Sequence, residues 1–210
     1  MNNTKTHATQ IWTNEQLEAK FSNHGIFGKG HTVNGERNFV SGYQNSIEGG
    51  SVVALLGSNL NNVSGNQSFL TGTSNTNSGN YNVIGGIGNN INGSWNVSFG
   101  GYNQSKSGHS VLLGTNLLAE FSYCNLIGDH LQAQGYRKTI LGRYNVLSEN
   151  PFVVAYGSDE ENRKNIFEVT SEGKAISKEV ETEDVILKSS NGKKFKVTIS
   201  DTGELITTKI

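Results

Sequence analysis

A row of aromatic and basic residues in the middle of the chain has chemistry suited to binding a carbohydrate. Its members follow one another at intervals of 14 positions: Tyr81, Trp95, His109, Tyr123 and Arg137. Tyrosine and tryptophan combine a large apolar face with a polar edge, which suits the C–H face and the hydroxyl rim of a sugar. The row also has a structural interpretation, because rings in neighbouring strands stabilise one another. Both interpretations need an element that brings every fourteenth residue onto one line.

Carboxyl groups could instead hydrolyse a polysaccharide, which requires two of them about 5–10 Å apart. The same region contains five: Glu36, Glu48, Glu120, Asp129 and Glu149. Glu48 and Glu120 fall in one row but five repeats apart, roughly 24 Å at the spacing of β-strands. Glu120 and Asp129 are closer in the chain but fall in different rows. The sequence therefore predicts no catalytic residues and no enzyme, and leaves open only an active site formed between subunits.

Other ligand classes find little support in the composition. The five histidines have no short metal-ligand spacing, and the chain has a single cysteine, Cys124. The formal net charge of −1 gives no reason to expect nucleic acid, and no apolar run is long enough to span a bilayer. We expect no metal, no cofactor, no nucleic-acid partner and no membrane insertion. The first residues lack the apolar core of a signal peptide, so we expect synthesis in the cytoplasm without one.

The element that positions the row is a repeat of 14 or 15 residues. It is marked by glycines that each follow a short apolar run, here called the anchor glycines: Gly28, Gly42, Gly57, Gly72, Gly86, Gly100, Gly114, Gly128 and Gly142. Fourteen residues with two turns leave room for two short strands but not for a helix. The repeat predicts an all-β fold, a parallel β-solenoid (β-roll) of about nine coils over residues 24–150. We expect glycine and asparagine at its corners, because both tolerate positive φ.

Apolar residues fall on both faces of the predicted strands. The position two before the anchor glycine is apolar in eight of nine repeats, as in Ile84, and the positions one and three before it are often apolar, as in Phe99 and Val97. Adjacent residues of a strand face opposite ways, so only one of these faces can line the interior. The other face needs a cover. Self-association along the rod is the simplest one.

The two ends of the chain differ from the repeat. Residues 1–23 predict an N-terminal cap or virion-docking segment with a short helix, opened by a capping box at Thr13–Gln16. Residues 24–150 carry 11 charged groups, whereas residues 151–210 carry 20. In the latter, alternating apolar segments flank turns at Gly173, Asn191-Gly192 and Gly203. These turns predict a small C-terminal antiparallel β module.

The repeat resembles the head of trimeric autotransporter adhesins. The shared pattern is (Asn/Ser)-apolar-x-apolar-Gly with a second glycine about seven positions later, as at residues 82–86, 96–100 and 110–114. The resemblance covers about residues 24–150. It implies a left-handed parallel β-roll that assembles as a homotrimer.

The C-terminal part resembles phage proteins. Residues 152–154 and 165–169 with Gly173 are similar to a segment common in phage tail fibres. Residues 186–197 and 201–205 are similar to the C-terminal end of tail-fibre and receptor-binding proteins of phages that infect Gram-positive bacteria. This resemblance implies a location in the virion tail, with other tail or baseplate proteins as partners.

Together these features predict a phage tail fibre or receptor-binding protein. It would attach the virion to a host cell-wall or surface polysaccharide by non-covalent, multivalent binding through the row from Tyr81 to Arg137. Three alternatives remain at this point: a purely structural trimeric tail component, a polysaccharide-degrading tailspike and a bacterial adhesin.

Overall fold

The computed structural model describes residues 24–49, 51–177 and 185–210. The chain divides into two compact units, of which the first ends at Ile176 and the second begins at Ser177. The predicted cap or docking segment over residues 1–23 lies outside the described residues. Within the described ranges the secondary structure is entirely β, without a helix.

The first unit is a parallel β-solenoid, which confirms the predicted fold class. Ten long strands stack in parallel and in chain order. They are β1 (His24–Lys29), β3 (Asn38–Tyr43), β5 (Ala54–Asn59), β7 (Phe69–Thr73), β9 (Val83–Ile87), β11 (Val97–Gly101), β13 (Val111–Thr115), β15 (Asn125–Asp129), β17 (Thr139–Arg143) and β18 (Phe152–Tyr156). Two antiparallel strands, β19 (Asn165–Val169) and β20 (Ala175–Ser177), complete this sheet.

Eight short strands form the second sheet of the solenoid, also parallel and in chain order. They are β2 (Thr32–Asn34), β4 (Ser46–Glu48), β6 (Asn62–Val63), β8 (Thr76–Asn77), β10 (Asn90–Ile91), β12 (Gln104–Ser105), β14 (Leu118–Ala119) and β16 (Gln132–Ala133). Each coil therefore consists of a first corner, a long strand, a second corner and a short strand. Partners such as Val97 and Val111 lie 14 positions apart, so residues with that spacing line up along the solenoid.

The interior is filled by the row two positions before each anchor glycine. Its buried members are Val40, Leu55, Leu70, Ile84, Ser98, Leu112, Leu126 and Ile140, and Val153, which pairs with Ile140, continues the row. Apolar residues of the short strands, such as Ile47 and Ile91, belong to the same core. The core forms two apolar clusters, and between them the coil with Ser98 and Ser105 places hydroxyl groups inside.

The asparagines that recur three positions after the anchor glycines lie inside the solenoid, and among the described left-handed corner residues Asn116 alone is an asparagine, so the prediction of asparagine at the corners was wrong for the recurring residues. One buried row runs through five successive coils: Asn45, Asn61, Asn75, Asn89 and Asn103. Each Oδ1 accepts the backbone N–H of the next coil, and each Nδ2 donates to a carbonyl of that coil; for Asn75 these distances are 3.0 Å to Asn89 N and 3.0 Å to Gly86 O. Because the amide group both accepts and donates, it saturates backbone groups that the narrow core cannot expose to water.

The anchor glycines are required by close contact between coils. Gly86 has φ +108°, and a Cβ built on it would lie 1.9 Å from the carbonyl oxygen of Gly100. One assignment from the sequence was wrong, since Ser58 and not Gly57 pairs with Gly42. Gly57 is an extra residue in β5, and the register shifts around it on both sides of the strand.

The corners are formed by left-handed residues that are mostly neither glycine nor asparagine. The first corner row consists of Arg37, Val52, Gln67, Tyr81, Trp95, His109, Tyr123 and Arg137, with φ between 49° and 64°. The second corner row consists of Gly30, Gln44, Leu60, Ser74, Gly88, Tyr102, Asn116, His130 and Tyr144, with φ between 46° and 71°. Backbone hydrogen bonds between coils hold each corner, as from Trp95 N to Asn80 O at 2.9 Å. This regular bonding offsets the cost of positive φ in residues with a Cβ.

The outer face of the long-strand sheet is apolar and exposed. Large side chains on it include Phe27, Phe39, Leu56, Val83, Phe99, Leu113 and Ile127, each 36–52% exposed. The predicted apolar outer rows are thus confirmed, and self-association over them stays a prediction.

The predicted turns of the C-terminal part are confirmed. β18 continues the parallel sheet beyond Pro151. The change in composition at Pro151 therefore does not mark the end of the solenoid strands. The chain divides into its two units only after Ile176. Hairpin β19–β20 turns at Gly173, with φ +79°. The second unit contains an antiparallel sheet of β21 (Val185–Lys188), β22 (Lys194–Ile199) and β23 (Leu205–Lys209).

Candidate functional site

The structure brings all five predicted site residues together on the first corner row. Tyr81, Trp95, His109, Tyr123 and Arg137 occupy the same corner of five successive coils with nearly equal φ, from 56° to 64°. Their side chains are exposed. The row therefore lies along one edge of the solenoid, beside the apolar outer face of the long strands.

The rings of this row stack on one another. Ring centroids are 4.1 Å apart for Tyr81 and Trp95, 6.2 Å for Trp95 and His109, and 4.8 Å for His109 and Tyr123. The guanidinium carbon of Arg137 lies 5.8 Å from the Tyr123 centroid. Since a sugar in van der Waals contact with two rings needs a gap of about 8 Å, nothing can enter between these pairs. The row presents ring edges to solvent, and its inner ring faces are occupied.

An open groove lies at one end of the stack. It has a volume of about 390 Å³, and its walls include Val52, Gln67, Phe69, Tyr81, Val83 and Trp95. Gln67 precedes Tyr81 in the corner row and has no ring to cover it. The groove thus combines the uncovered side of Tyr81, apolar residues of the outer face and one side-chain amide, which is a suitable lining for a sugar.

Val52 and Gln67 were missed in the sequence because the repeat length changes there. Arg37, Val52 and Gln67 follow one another at 15 positions, whereas the later members follow at 14. One extra residue between Glu48 and Val52 and a second one, Gly57, shift the spacing. The row continues across this shift, and the glycine spacing, which also contains steps of 15, was the signal that could have revealed it.

The carboxyl groups considered for catalysis lie apart, as predicted. The pairing of the short strands places Glu48 and Glu120 five coils apart in one row. Glu120 forms an ion pair with Lys106, and Asp129 Oδ1 lies 2.8 Å from His130 Nδ1. That the protein is not an enzyme stays a prediction.

Cys124 is a ladder residue of the interior. It follows Ser110 in a buried row, where its N–H donates to Ser110 Oγ at 3.2 Å and its Sγ donates to Gly135 O at 3.4 Å. Burial raises the pKa of the thiol, against the smaller lowering effects of backbone hydrogen bonding and of the Lys138 charge. A buried thiol with a raised pKa is a poor nucleophile.

Lys138 ends the same buried row. Its ammonium group donates to the carbonyl oxygens of Glu149 and Asn150, so it takes the position of the amide groups earlier in the row. The described ranges contain no group of three or more His, Cys, Asp and Glu side chains that could hold a metal ion. They also contain no helix long and apolar enough to cross a membrane.

Comparison with known proteins found no matching family model, no similar curated protein and no similar solved structure.

Proposed function

We propose that this protein is a phage tail fibre or receptor-binding protein that attaches the virion to a polysaccharide of the bacterial surface. The observation that carries the proposal is the exposed groove between the first corner row and the apolar outer face. Its apolar walls, one uncovered tyrosine and one amide suit a sugar ring. The resemblance of the C-terminal part to phage tail fibres supplies the location, the virion tail, and the partners, other tail or baseplate proteins.

The exposed outer face supports assembly as a homotrimer. A parallel sheet is normally covered on both faces, and a contiguous apolar patch of this extent is typical of an interface. A second copy of the chain offers the same face, with the same spacing between rows, as a cover. The number three comes from the resemblance to adhesin heads.

Assembly would explain how a shallow groove could attach a virion. Each chain contributes one groove, a trimer contributes three, and a virion carries many trimers. Linking weak sites raises the overall affinity by roughly 10²–10⁴-fold without any new contact. Weak, repeated binding of this kind suits a polysaccharide, which presents the same unit many times.

The proposal is tested by binding of fluorescently labelled full-length protein to cell walls of a panel of Gram-positive bacteria. The deciding variant is Gln67→Tyr, because a ring at this corner position continues the stack from Tyr81 and closes the groove. Leu60→Tyr, at the same kind of position in the second corner row (φ 54°), is the matched control. We expect binding by the wild type and by Leu60→Tyr, and loss of binding by Gln67→Tyr. Equal binding by all three would remove the groove from the proposal, and no binding to any wall would overturn the function.

A structural tail component is the second candidate, and the covered ring faces favour it. Rings stacked at 4.1–6.2 Å stabilise an edge of the solenoid without any ligand. A protein with this role would form the same trimer and bind no wall. The Trp95→Ala/Tyr123→Ala variant separates the two roles of the row, since it reduces binding at unchanged mass only if the ring edges, or the Trp95 wall of the groove, contact the polysaccharide.

A further inference from the structure

The second corner row contains a gap between two aromatic rings. Tyr102, Asn116 and His130 occupy this corner in three successive coils, with φ of 57°, 54° and 51°. Backbone hydrogen bonds fix the order, with Asn116 N donating to Gly101 O and His130 N donating to Thr115 O, each at 2.9 Å. In the first corner row, successive coils carry stacked rings. In the second corner row, Asn116 stands between two rings and has no ring of its own.

The outer sides of both rings are covered. His130 stacks on Tyr144 with centroids 4.5 Å apart. Tyr102 lies against Gly88, where an added Cβ would come within 2.8 Å of its ring. The remaining side of each ring borders the coil of Asn116. Two coil spacings separate the backbones of Tyr102 and His130 by about 9.6 Å, and a single ring in contact with an aromatic face on either side needs about 8 Å.

The gap opens into a groove of about 360 Å³ that also includes Gln104, Leu118, Gln132, Glu160 and Arg163 in its walls. Among the described residues, the side-chain amides of Gln104, Asn116 and Gln132 take part in no hydrogen bond. Each offers two donors and one acceptor, which matches hydroxyl groups that both donate and accept. Leu118 stands between the two glutamines in the short-strand sheet and supplies an apolar surface.

The charges that line the groove neutralise each other. Arg163 Nε donates to Glu160 Oε2 at 3.0 Å, and Arg163 Nη1 donates to His130 O at 3.0 Å and to Asn145 O at 3.1 Å. The Arg163 guanidinium carbon also lies 5.7 Å from the Tyr144 centroid. These contacts fix the loop that forms the wall, so the groove is pre-formed, and they leave no unpaired charge to attract an ion.

We infer that the gap between Tyr102 and His130, above Asn116, binds one neutral hexopyranose ring. The two aromatic faces hold the ring of the sugar from both sides, and the amides of Asn116, Gln104 and Gln132 bind its hydroxyl groups. This site differs from the groove beside Tyr81 in its residues and lies at the opposite end of the long strands. Binding of a sugar in this gap does not depend on a location of the protein in the virion.

The slot-filling variant Asn116→Tyr tests this inference. The φ angle of Asn116 is close to those of Tyr102 and His130. A tyrosine at position 116 therefore continues the stack and fills the gap without opening the fold. Ser74→Tyr, in the same corner row at φ 57°, adds a ring away from the gap and is the matched control. Thermal unfolding of both variants shows whether the fold is kept, and Tyr102→Ala removes one wall independently.

Binding is measured on the full-length protein by saturation-transfer difference NMR with the methyl glycosides of glucose, galactose, mannose and N-acetylglucosamine. We expect at least one glycoside to bind the wild type and Ser74→Tyr equally, and to bind Asn116→Tyr and Tyr102→Ala about ten-fold or more weakly. A ligand concentration of about 50 mM exceeds the dissociation constants of single sites that multivalent binding can use. If no glycoside binds the wild type at this concentration, the inference is overturned. Undiminished binding by Asn116→Tyr overturns it as well.

The outcome is separable from that of the proposed function. Asn116→Tyr protein that still binds cell walls as the wild type does would leave the proposed function standing without this slot. Glycoside binding that Asn116→Tyr abolishes, in a protein that binds no cell wall, would establish the slot and reject the attachment role.

Discussion

The side chain of Asn75 binds both the backbone and the side chain of Asn89: Oδ1 of Asn75 accepts from Asn89 N at 3.0 Å and from Asn89 Nδ2 at 2.9 Å. Asn89 Nδ2 further donates to Gly100 O at 3.2 Å. Each amide therefore links its own coil to the coil on either side. The ladder stabilises the stacking of coils from within, where an apolar side chain could not bind the backbone groups.

Replacement of one ladder amide by a carboxyl group should be strongly destabilising. Asn89→Asp keeps the acceptor but loses both donor protons, and it places a carboxylate beside carbonyl oxygens in the core. We expect the free energy of unfolding at pH 7 to fall by about 3 kcal/mol or more, measured by urea denaturation. Asn90→Asp, on the exposed neighbour, should change it by less than about 0.5 kcal/mol.

The loss in Asn89→Asp should be smaller at low pH. Burial raises the pKa of the new carboxyl group in the folded state above its unfolded value of about 3.9. The folded state therefore binds more protons, and stability relative to the wild type rises as pH falls through the folded-state pKa. A difference between the two proteins that stays constant from pH 7 to pH 4 would contradict a buried, unpaired carboxylate.

The contact between anchor glycines predicts a sharp difference between two Gly→Ala variants. Gly86→Ala places a methyl group 1.9 Å from Gly100 O, whereas Gly49→Ala, at φ +84°, meets no atom within 4 Å. We expect Gly49→Ala to cost about 1–2 kcal/mol, the price of left-handed alanine, and Gly86→Ala to cost about 4 kcal/mol or more. Equal unfolding midpoints for the two would show that the coils can move apart at no cost.

Charges on the outer face should prevent self-association. Phe99→Lys/Leu113→Lys places two cations within the exposed apolar rows, and Asn90→Lys places one on the exposed side of the short-strand sheet. By light scattering, we expect three times the 22.7 kDa of one chain for the wild type and for Asn90→Lys, and 22.7 kDa for the double variant. A wild type with the mass of one chain would reject association over this face.

The thiol of Cys124 should react only in the unfolded protein. Its burial and raised pKa keep both the fraction of thiolate and the access of reagent low. With Ellman's reagent at pH 8, we expect no reaction over hours in buffer and one equivalent per chain in denaturant. Rapid reaction in buffer would mean that the solenoid opens between the coils of Ser110 and Lys138.

Glu168 should contribute stability that is lost in acid. Burial raises the pKa of its carboxyl group, but hydrogen bonds from Ser148, Asn150 and Asn165, together with the Lys138 charge, outweigh it and lower the pKa below 4.5. The contribution is therefore present above pH 4.5 and lost as pH falls through the lower folded-state value. Glu168→Gln should reduce stability by about 1 kcal/mol at pH 7, and this difference should disappear as the pH falls below the folded-state pKa of Glu168.

The regular part of the structure could be predicted from the sequence because each coil repeats the same contacts. Gly86 and Gly100 recur at a fixed interval, and a fixed interval with two turns admits only short stacked strands. The alternation of faces along a strand predicted that one of the two apolar rows lines the interior, and the structure shows that it is the row of Ile84. The hairpin turns at Gly173 and Gly192 followed from local turn chemistry.

The corners and the sites depended on information that the interval does not contain. Tyr81 and Trp95 adopt left-handed φ because hydrogen bonds between coils hold them there, against the preference of their own side chains. Whether the face of a ring is covered depends on the side chain one coil away. Trp95 covers the rings on both of its sides, whereas Asn116 has no ring and leaves the facing sides of Tyr102 and His130 uncovered. The groove beside Gln67 was hidden because two extra residues changed the spacing before it.

The extra residue Gly57 behaves like a point defect in a crystal. The pairing is displaced at β5, yet two coils later the strands are back in regular alignment, as between Leu70 and Ile84. Because the strand register is restored within two coils, the solenoid tolerates insertions and deletions in individual coils. Evolution can therefore lengthen, shorten or re-space a solenoid of this kind one coil at a time, and can alter the surface of one coil without rebuilding its neighbours.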